Sequence, residues 1–417
     1  MEEFVANQIR YGLKYLPANL AKSFVLPRRS AETKALRDRG FLCGVCHPNE
    51  NYQQIKEANI GWVRFDIPFP FAADGQESES YRQFKARAQG YVDRGIKVMA
   101  VTPYPEDYIA AGMDPRTPEG EEKVRRTARF LIKDLQKYVG ALQITNEMGL
   151  PRLTLPLTLP EAAAFIGMQM EEMAPLRGDI LIGYNSAGPE AQLHALMKPY
   201  AAYFDYVGID IYLGCFDGYP GFMWVFDALL RYLWAFTHKP VIIQEFGYIS
   251  GGAPKTKAEK REILRSYGVE REEEASTAIE DFIGRLPEAF RQHVKHDANN
   301  DPARYFDLIF HSDFKQHLYK EMTPTTVIPG YPHTPEGQAK FFADSIDKLY
   351  RTPYVLGAFI YCYTDAERCY VCGQEDCPVE TRWGLVDRAG NPKPAYYAVQ
   401  KQFGRIRFLT NVERYSK

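Results

Sequence analysis

Short apolar runs alternate with longer amphipathic segments along most of the chain. From about residue 40 onward, each run is followed by apolar residues spaced three to four apart, which is typical of a helix. This alternation favours a parallel sheet whose strands are joined by crossover helices. It predicts strands at residues 41–45, 62–66, 97–101, 141–145, 180–184, 206–211, 241–244 and 356–361.

The segments between these strands predict helices at residues 51–58, 79–93, 119–138, 160–173, 189–200, 222–237 and 335–349. The last one has a clear start signal, because Thr334 precedes Pro335 and Glu336 as a hydroxyl cap, a first-turn proline and a first-turn acid. Eight strands with intervening helices predict the α/β class, as a (β/α)8 TIM barrel over residues 40–408.

Two segments exceed a minimal barrel. Residues 1–39 carry a mildly basic, amphipathic pattern, which favours an N-terminal extension packed on the barrel; a helix on a membrane surface is the alternative. Residues 250–330 form a long insertion after strand 7, charged at first and then rich in His, Phe and Asp. An insertion at this point projects over the catalytic face as a lid or specificity element, or is a solvated helical decoration.

Composition narrows the function classes. The 417 residues are 45% hydrophobic and 25% charged, with a net charge of −2, which implies no general attraction to nucleic acid or anionic lipid. Residues 1–5 show no basic segment followed by an apolar core, and no apolar run reaches the roughly 18–20 residues of a membrane span. We therefore expect a cytoplasmic protein without a membrane span.

Two glutamates end apolar strands. Glu147 follows strand 4, and Glu245 ends strand 7. Parallel barrels carry their chemistry at this end of the strands, and two carboxylates facing one sugar are what glycosidic bond cleavage requires. A single glutamate at a strand end is equally typical of a solvated rim carboxylate or an ion-pair partner.

These motifs resemble the signature of the clan A glycoside hydrolases. In that clan an Asn–Glu pair follows strand 4, as Asn146 and Glu147 do here, and a second Glu ends strand 7. Arg64 on strand 2 and Tyr212 after strand 6 are similar to the arginine and tyrosine beside the clan's nucleophile. The segments GLVD at 384–387 and NPKPAY at 391–396 resemble its exit from strand 8, so the likeness spans roughly residues 41–403.

The resemblance implies a retaining glycosidase that cleaves β-linked glycosides by double displacement. Glu245 would be the nucleophile, kept ionised by Arg64 and Tyr212, and Glu147 the acid/base with a raised pKa. Asn146 would bind the sugar 2-hydroxyl. The substrate would be a carbohydrate or glycoside, no cofactor would be required, and transfer to an acceptor sugar in place of water is a same-fold alternative.

Two departures leave the recognised sugar open. The clan usually carries a Trp on strand 8, whereas this chain has Tyr361, and residues 102–104 lack the His that some clan families place after strand 3. Further candidates for substrate contacts are His47, Asn185, Asp365 and Trp383, although a lone His or Asn at such a position is more often structural.

Five of the seven cysteines form two groups, Cys43 with Cys46 and Cys369 with Cys372 and Cys377. Strands 1 and 8 are neighbours in a closed barrel, and thiolates at this spacing bind zinc. The pattern favours a structural zinc site of Cys369, Cys372 and Cys377, with Cys46 or His47 as the fourth ligand. Disulfides or free thiols are the alternatives. A non-catalytic carbohydrate-binding barrel and a metal or thiol sensor remain competing functions.

Overall fold

The computed structural model describes residues 9–15, 17–18, 21–22, 30–215, 223–322 and 327–415. Eight parallel strands pair in chain order, and β1 pairs with β8 to close the barrel. The strands are β1 Leu42–Cys46, β2 Trp62–Asp66, β3 Lys97–Val101, β4 Ala141–Gln143, β5 Leu181–Ala187, β6 Tyr206–Ile211, β7 Val241–Phe246 and β8 Val355–Ile360. The predicted α/β barrel and its eight strands are confirmed.

β5 runs to Ala187, three residues beyond its predicted end, while β4 stops two residues early. The predicted strand runs to residue 145, but β4 ends at Gln143 because the backbone turns sharply there. Thr145 has a φ of 58° and Glu147 a φ of 48°, in the left-handed region that costs a non-glycine residue free energy. Sequence patterns do not register such a turn, because every residue in it is compatible with a strand.

Helices surround the barrel and build the insertion. Among the residues described from 30 onward, the α-helices in chain order are Ala31–Asp38, Tyr52–Glu57, Glu79–Val92, Pro105–Ala110, Pro118–Asp134, Pro151–Thr154, Leu159–Met173, Ala191–Leu196, Trp224–Thr237, Lys257–Ser266, Glu272–Thr277, Ile279–Arg285, Glu288–Asp297, Tyr305–Phe310, Phe314–Tyr319, Pro335–Arg351, Pro378–Thr381 and Pro394–Tyr415. The predicted cap at Thr334 is present, since its hydroxyl accepts a hydrogen bond from Gly337 N at 3.1 Å. The predicted helix 189–200 divides, because Pro199 begins a separate 3₁₀ turn, Lys198–Tyr200.

The barrel interior is filled by side chains and is not a pore. Gly44 on β1 makes this packing fit, because a Cβ there would lie 2.2 Å from the ring of Phe359 on β8. A larger apolar layer separates the strands from the helices. The interior cluster consists of Leu42, Cys46, Met99, Ala141, Tyr206, Ile242, Leu356 and Phe359.

The two predicted additions differ in how much of them is described. At the N-terminal side, Arg37 donates to Val355 O at 2.7 Å and to Tyr350 O at 2.8 Å, which ties helix Ala31–Asp38 to the start of β8. Much of residues 1–29 lies outside the described residues. The predicted packing of this segment on the barrel and its alternative, a helix on a membrane surface, therefore both remain predictions. Residues 250–330 contain six α-helices, from Lys257 to Tyr319. Among the described helices, none has both the length and the apolar character needed to cross a membrane.

Candidate active site

A cavity of about 900 Å³ opens at the carboxyl ends of the strands. Arg64 on β2, Asp210 on β6 and Glu245 on β7 line its floor, while His293 and Asp313 of the insertion line its wall. Parallel barrels carry their reacting groups at this end, because loops from every strand converge there. The insertion therefore forms part of the cavity and is not a remote decoration.

Glu245 is held by a cation and a hydroxyl. Arg64 Nη1 lies 2.6 Å from Glu245 Oε1, and the hydroxyl of Tyr212 donates to Glu245 Oε2. Arg64 is itself fixed, because its Nε donates to Gln143 Oε1 at 2.7 Å. A guanidinium and a phenol thus donate to the two carboxylate oxygens of Glu245 and fix their orientation.

Glu147 occupies the opposite kind of environment. Burial raises the pKa of Glu147 to about 7, and the negative charge of Glu245 adds to the effect, while Arg152 and Arg64 oppose it. Its backbone N–H donates to Asn185 Oδ1 at 2.8 Å, which helps to hold the left-handed turn. A carboxyl group with such a pKa can give and take a proton near neutral pH.

A chain of amides connects the two glutamates. Arg64 has only donors, so the atom of Asn146 facing its Nη2 at 2.7 Å must be the side-chain oxygen. The same oxygen accepts from Gln143 Nε2 and from Asn185 Nδ2, each at 2.8 Å. With its oxygen thus occupied, Asn146 has its amide nitrogen left to donate toward a bound hydroxyl.

Aromatic side chains form one wall. The ring of Tyr361 makes edge-to-face contacts with His47, Tyr212 and Trp383, at centroid distances of 5.4, 5.6 and 5.8 Å. All four rings line the cavity. Tyr361 thus sits where the resemblance places an aromatic residue, and Trp383, only 1% exposed, backs it from the segment after β8.

Two predicted substrate contacts lie away from the cavity surface. Asn185 sits within β5, behind Asn146, and also donates to Asp210 Oδ2 at 2.6 Å. Asp365 accepts from Gly384 N at 2.7 Å and pairs with Lys393 Nζ at 3.0 Å. These contacts make both residues supports of the surrounding segments.

The structure brings together three of the four side chains that the sequence suggested as metal ligands. Cys369, Cys372 and Cys377 come together, but their partner is His317 of the insertion. Cys46 instead points into the barrel and donates to Gln244 O at 3.1 Å. His47 lies on the cavity wall, outside the cluster.

The sequence matches no protein-family model and no curated protein. Its fold is found in solved structures. The GH53 catalytic domain of Ignisphaera aggregans aligns with a TM-score of 0.52 and 16% identity, over 91% of this chain and 97% of that one. A family 39 glycoside hydrolase of Bacteroides cellulosilyticus aligns with a TM-score of 0.50 and 15% identity, over 88% and 64%. The fold is that of the clan A glycoside hydrolases.

Some of the matched structures are much longer than this chain. The chain spans 51% of a GH2 β-galacturonidase from Eisenbergiella tayi, at 14% identity and a TM-score of 0.49, and 35% of a Bacteroides uniformis β-glucuronidase, at 13% and 0.50. At these identities the likeness establishes the fold, and the resemblance drawn from the sequence motifs is confirmed at that level.

Sequence reasoning missed several groups that line this cavity. Asp210 lies two residues before Tyr212, and the alternation of side chains along β6 was a usable signal for it. Arg152, which approaches Asp313 at 3.8 Å, and the buried Glu380 also line the cavity. No local pattern marks these two residues, because their position depends on how the loops fold over the barrel.

Proposed function

We propose that the chain is a retaining glycoside hydrolase that cleaves β-linked glycosides, with Glu245 as nucleophile and Glu147 as acid/base. One observation carries this proposal: two carboxyl groups line the same cavity in opposite environments. Glu245 is paired with Arg64 and Tyr212, whereas burial raises the pKa of Glu147 to about 7. Such divergence is how acid and base roles are divided in glycosidases.

In the first step a Glu245 oxygen attacks the anomeric carbon as the glycosidic bond breaks. Glu147 gives its proton to the leaving oxygen, so the aglycone departs as a neutral alcohol. The Asn146 amide donates to the sugar 2-hydroxyl, a contact that strengthens as positive charge develops on the ring. The product is a glycosyl ester of Glu245 and an ionised Glu147.

In the second step Glu147 takes a proton from water, whose oxygen attacks the anomeric carbon and releases Glu245. Two inversions at one carbon give net retention. An acceptor sugar in place of water gives transglycosylation by the same route. Both steps use only carboxyl groups, so catalysis requires no cofactor, and any metal at the cysteine cluster has a structural role.

Chromogenic β-glycosides with and without azide test these roles. Glu245→Ala should abolish hydrolysis, and azide should restore turnover with a glycosyl azide of inverted configuration, because azide replaces the nucleophile. Glu147→Ala should give a glycosyl azide of retained configuration, because azide then intercepts the ester. Glu106→Gln, an exposed carboxylate on helix Pro105–Ala110, is the matched control and should leave turnover unchanged.

Binding of glycosides without turnover by the wild-type chain would contradict the proposal and favour the carbohydrate-binding alternative. If NMR shows that the first product does not keep the anomeric configuration of the substrate, double displacement is excluded.

A further inference from the structure

Four buried side chains from two distant segments meet beside the cavity. His317 lies on helix Phe314–Tyr319 of the insertion, and Cys369, Cys372 and Cys377 lie on the segment after β8. Their ligand atoms all lie within 4.8 Å of one another. One imidazole and three thiols at this separation are the donor set of a Cys₃His zinc site.

The distances fit a tetrahedral ion. Zinc bonds of about 2.3 Å to sulfur and 2.0–2.1 Å to nitrogen place ligand sulfur and nitrogen about 3.6 Å apart at the tetrahedral angle. His317 Nδ1 lies 3.3 Å from Cys369 Sγ and 3.9 Å from Cys377 Sγ, on either side of that value.

The backbone around the first two cysteines is shaped to present sulfur. Cys372 N–H points at Cys369 Sγ at 3.4 Å, and Gly373 N donates to Cys369 O at 2.8 Å. Gly373 has a φ of 71°, which glycine adopts without strain, and the chain can therefore reverse directly after the second cysteine.

A disulfide explains the cluster less well. It would join two of the sulfurs at about 2.05 Å and leave the third thiol and the imidazole together in the interior without a common partner. All three cysteines are free thiols in the structure.

We propose that His317, Cys369, Cys372 and Cys377 bind a structural zinc ion that fastens the insertion to the segment after β8. His317 and Cys369 are 52 residues apart in sequence, and both segments line the cavity. Phe314 precedes His317 by one helical turn, and Tyr370 and Val371 lie between the first two cysteines. The metal thus holds two walls of the cavity together.

An ion pair between Lys320 and Asp376 spans the same junction at 2.8 Å, but Asp376 is 70% exposed, so the pair contributes little.

Metal analysis of the full chain, purified without added metal, tests this site. We expect one zinc ion per chain, and X-ray absorption should show three sulfur ligands and one nitrogen ligand. His317→Ala and Cys369→Ser should each lose the bound zinc and lower the melting temperature. Two matched controls should keep it: His311→Ala removes an exposed imidazole of the same insertion, and Cys43→Ala removes a buried thiol on β1.

Three results would each overturn the proposal. The first is a wild-type chain that holds no zinc after it has been dialysed against zinc. The others are zinc retained by both ligand variants, and a disulfide within the cluster in non-reducing mass spectrometry. If the variants fail to fold, the cobalt-substituted wild-type chain decides, because tetrahedral Co²⁺ with three thiolates has an absorption spectrum that other sites in the chain would not give. These measurements need no glycosidase activity, so they stand apart from the proposed function.

Discussion

Arg64 Nη1 and Glu245 Oε1 lie 2.6 Å apart in an ion pair that is almost fully buried. Only 2% of the arginine side chain and 9% of the glutamate side chain are exposed. Two charges removed from water are stabilised only if each has a close partner, because the desolvation penalty is large. The pair therefore ties the stability of the barrel to the ionisation of the proposed nucleophile.

Arg64→Met should cost both stability and activity. Removing one partner of a buried ion pair costs about 3–5 kcal/mol, since the remaining charge is left without compensation. We expect urea unfolding to report a loss of this size, and kcat/KM to fall by orders of magnitude because Glu245 loses the cation that holds its carboxylate in place. Arg64→Lys keeps the charge but not the contacts to Gln143 and Asn146, so it should be intermediate. Wild-type stability in Arg64→Met would contradict this account.

The proposed acid should set the basic limb of the pH profile. Glu147 acts first in its protonated form, so kcat/KM should fall as the pH rises through about 7. Its pKa is raised above the ordinary 4.5, so its contribution to folding stability is full below that value and is lost as the pH rises through about 7. Glu147→Gln should remove this limb for aryl glycosides with good leaving groups. The control Glu380→Gln changes another buried acid of the cavity, whose pKa burial also raises. If that control removes the limb while Glu147→Gln preserves it, the assignment is wrong.

Asn146 offers a test on the substrate side. Its oxygen is occupied by Arg64, Gln143 and Asn185, which leaves the amide nitrogen for the sugar 2-hydroxyl. Asn146→Ala should lower kcat/KM about 10²–10³-fold for an ordinary glycoside, the size of one lost donor to a developing charge. On the matching 2-deoxy glycoside, the kcat/KM of the same variant should stay close to that of the wild type. An equal loss on both substrates would show that Asn146 acts only by positioning its neighbours.

The two glutamates could be found from sequence because strand ends are local features. Each follows an apolar run, and parallel strands bring their ends to one face of a barrel whatever the loops do. Arg64 and Tyr212 could be found from the sequence for the same reason. What the pattern did not contain was the left-handed turn at Thr145 and Glu147, which ends β4 early.

The fourth member of the cysteine–histidine cluster lay beyond local reasoning. Cys46 lies on β1, next to β8, so strand adjacency favoured it, but its side chain points into the barrel interior. His317 is separated from Cys369 by 52 residues, and its place depends on how the helices of the insertion fold back over the barrel. Asn185 and Asp365 are absent from the described cavity lining for a related reason, since position after a strand does not say whether a side chain faces the cavity or its support.

The charge of the cavity predicts a preference for uncharged sugars. Among the residues that the structure describes, the lining has two arginines and seven carboxyl groups, those of Asp66, Glu147, Asp210, Glu245, Asp297, Asp313 and Glu380. Burial raises the pKa of Asp210 and of Glu380 well above the ordinary range, and that of Glu147 to about 7. Even with those three protonated, four carboxylates face two arginines, and each arginine has an acidic partner, Glu245 for Arg64 and Asp313 for Arg152.

A uronide would therefore bring a further negative charge into a cavity whose described lining has no unpaired arginine to receive it. We expect kcat/KM for a β-glucoside and a β-galactoside to exceed that for the matching uronides by at least tenfold, which corresponds to about 1.4 kcal/mol. Asp313→Asn releases Arg152 from its acidic partner, so it should narrow the gap by improving uronide cleavage while leaving neutral substrates nearly unchanged. A wild-type preference for uronides would mean that Arg152 leaves Asp313 when substrate binds, and the charge argument would fail.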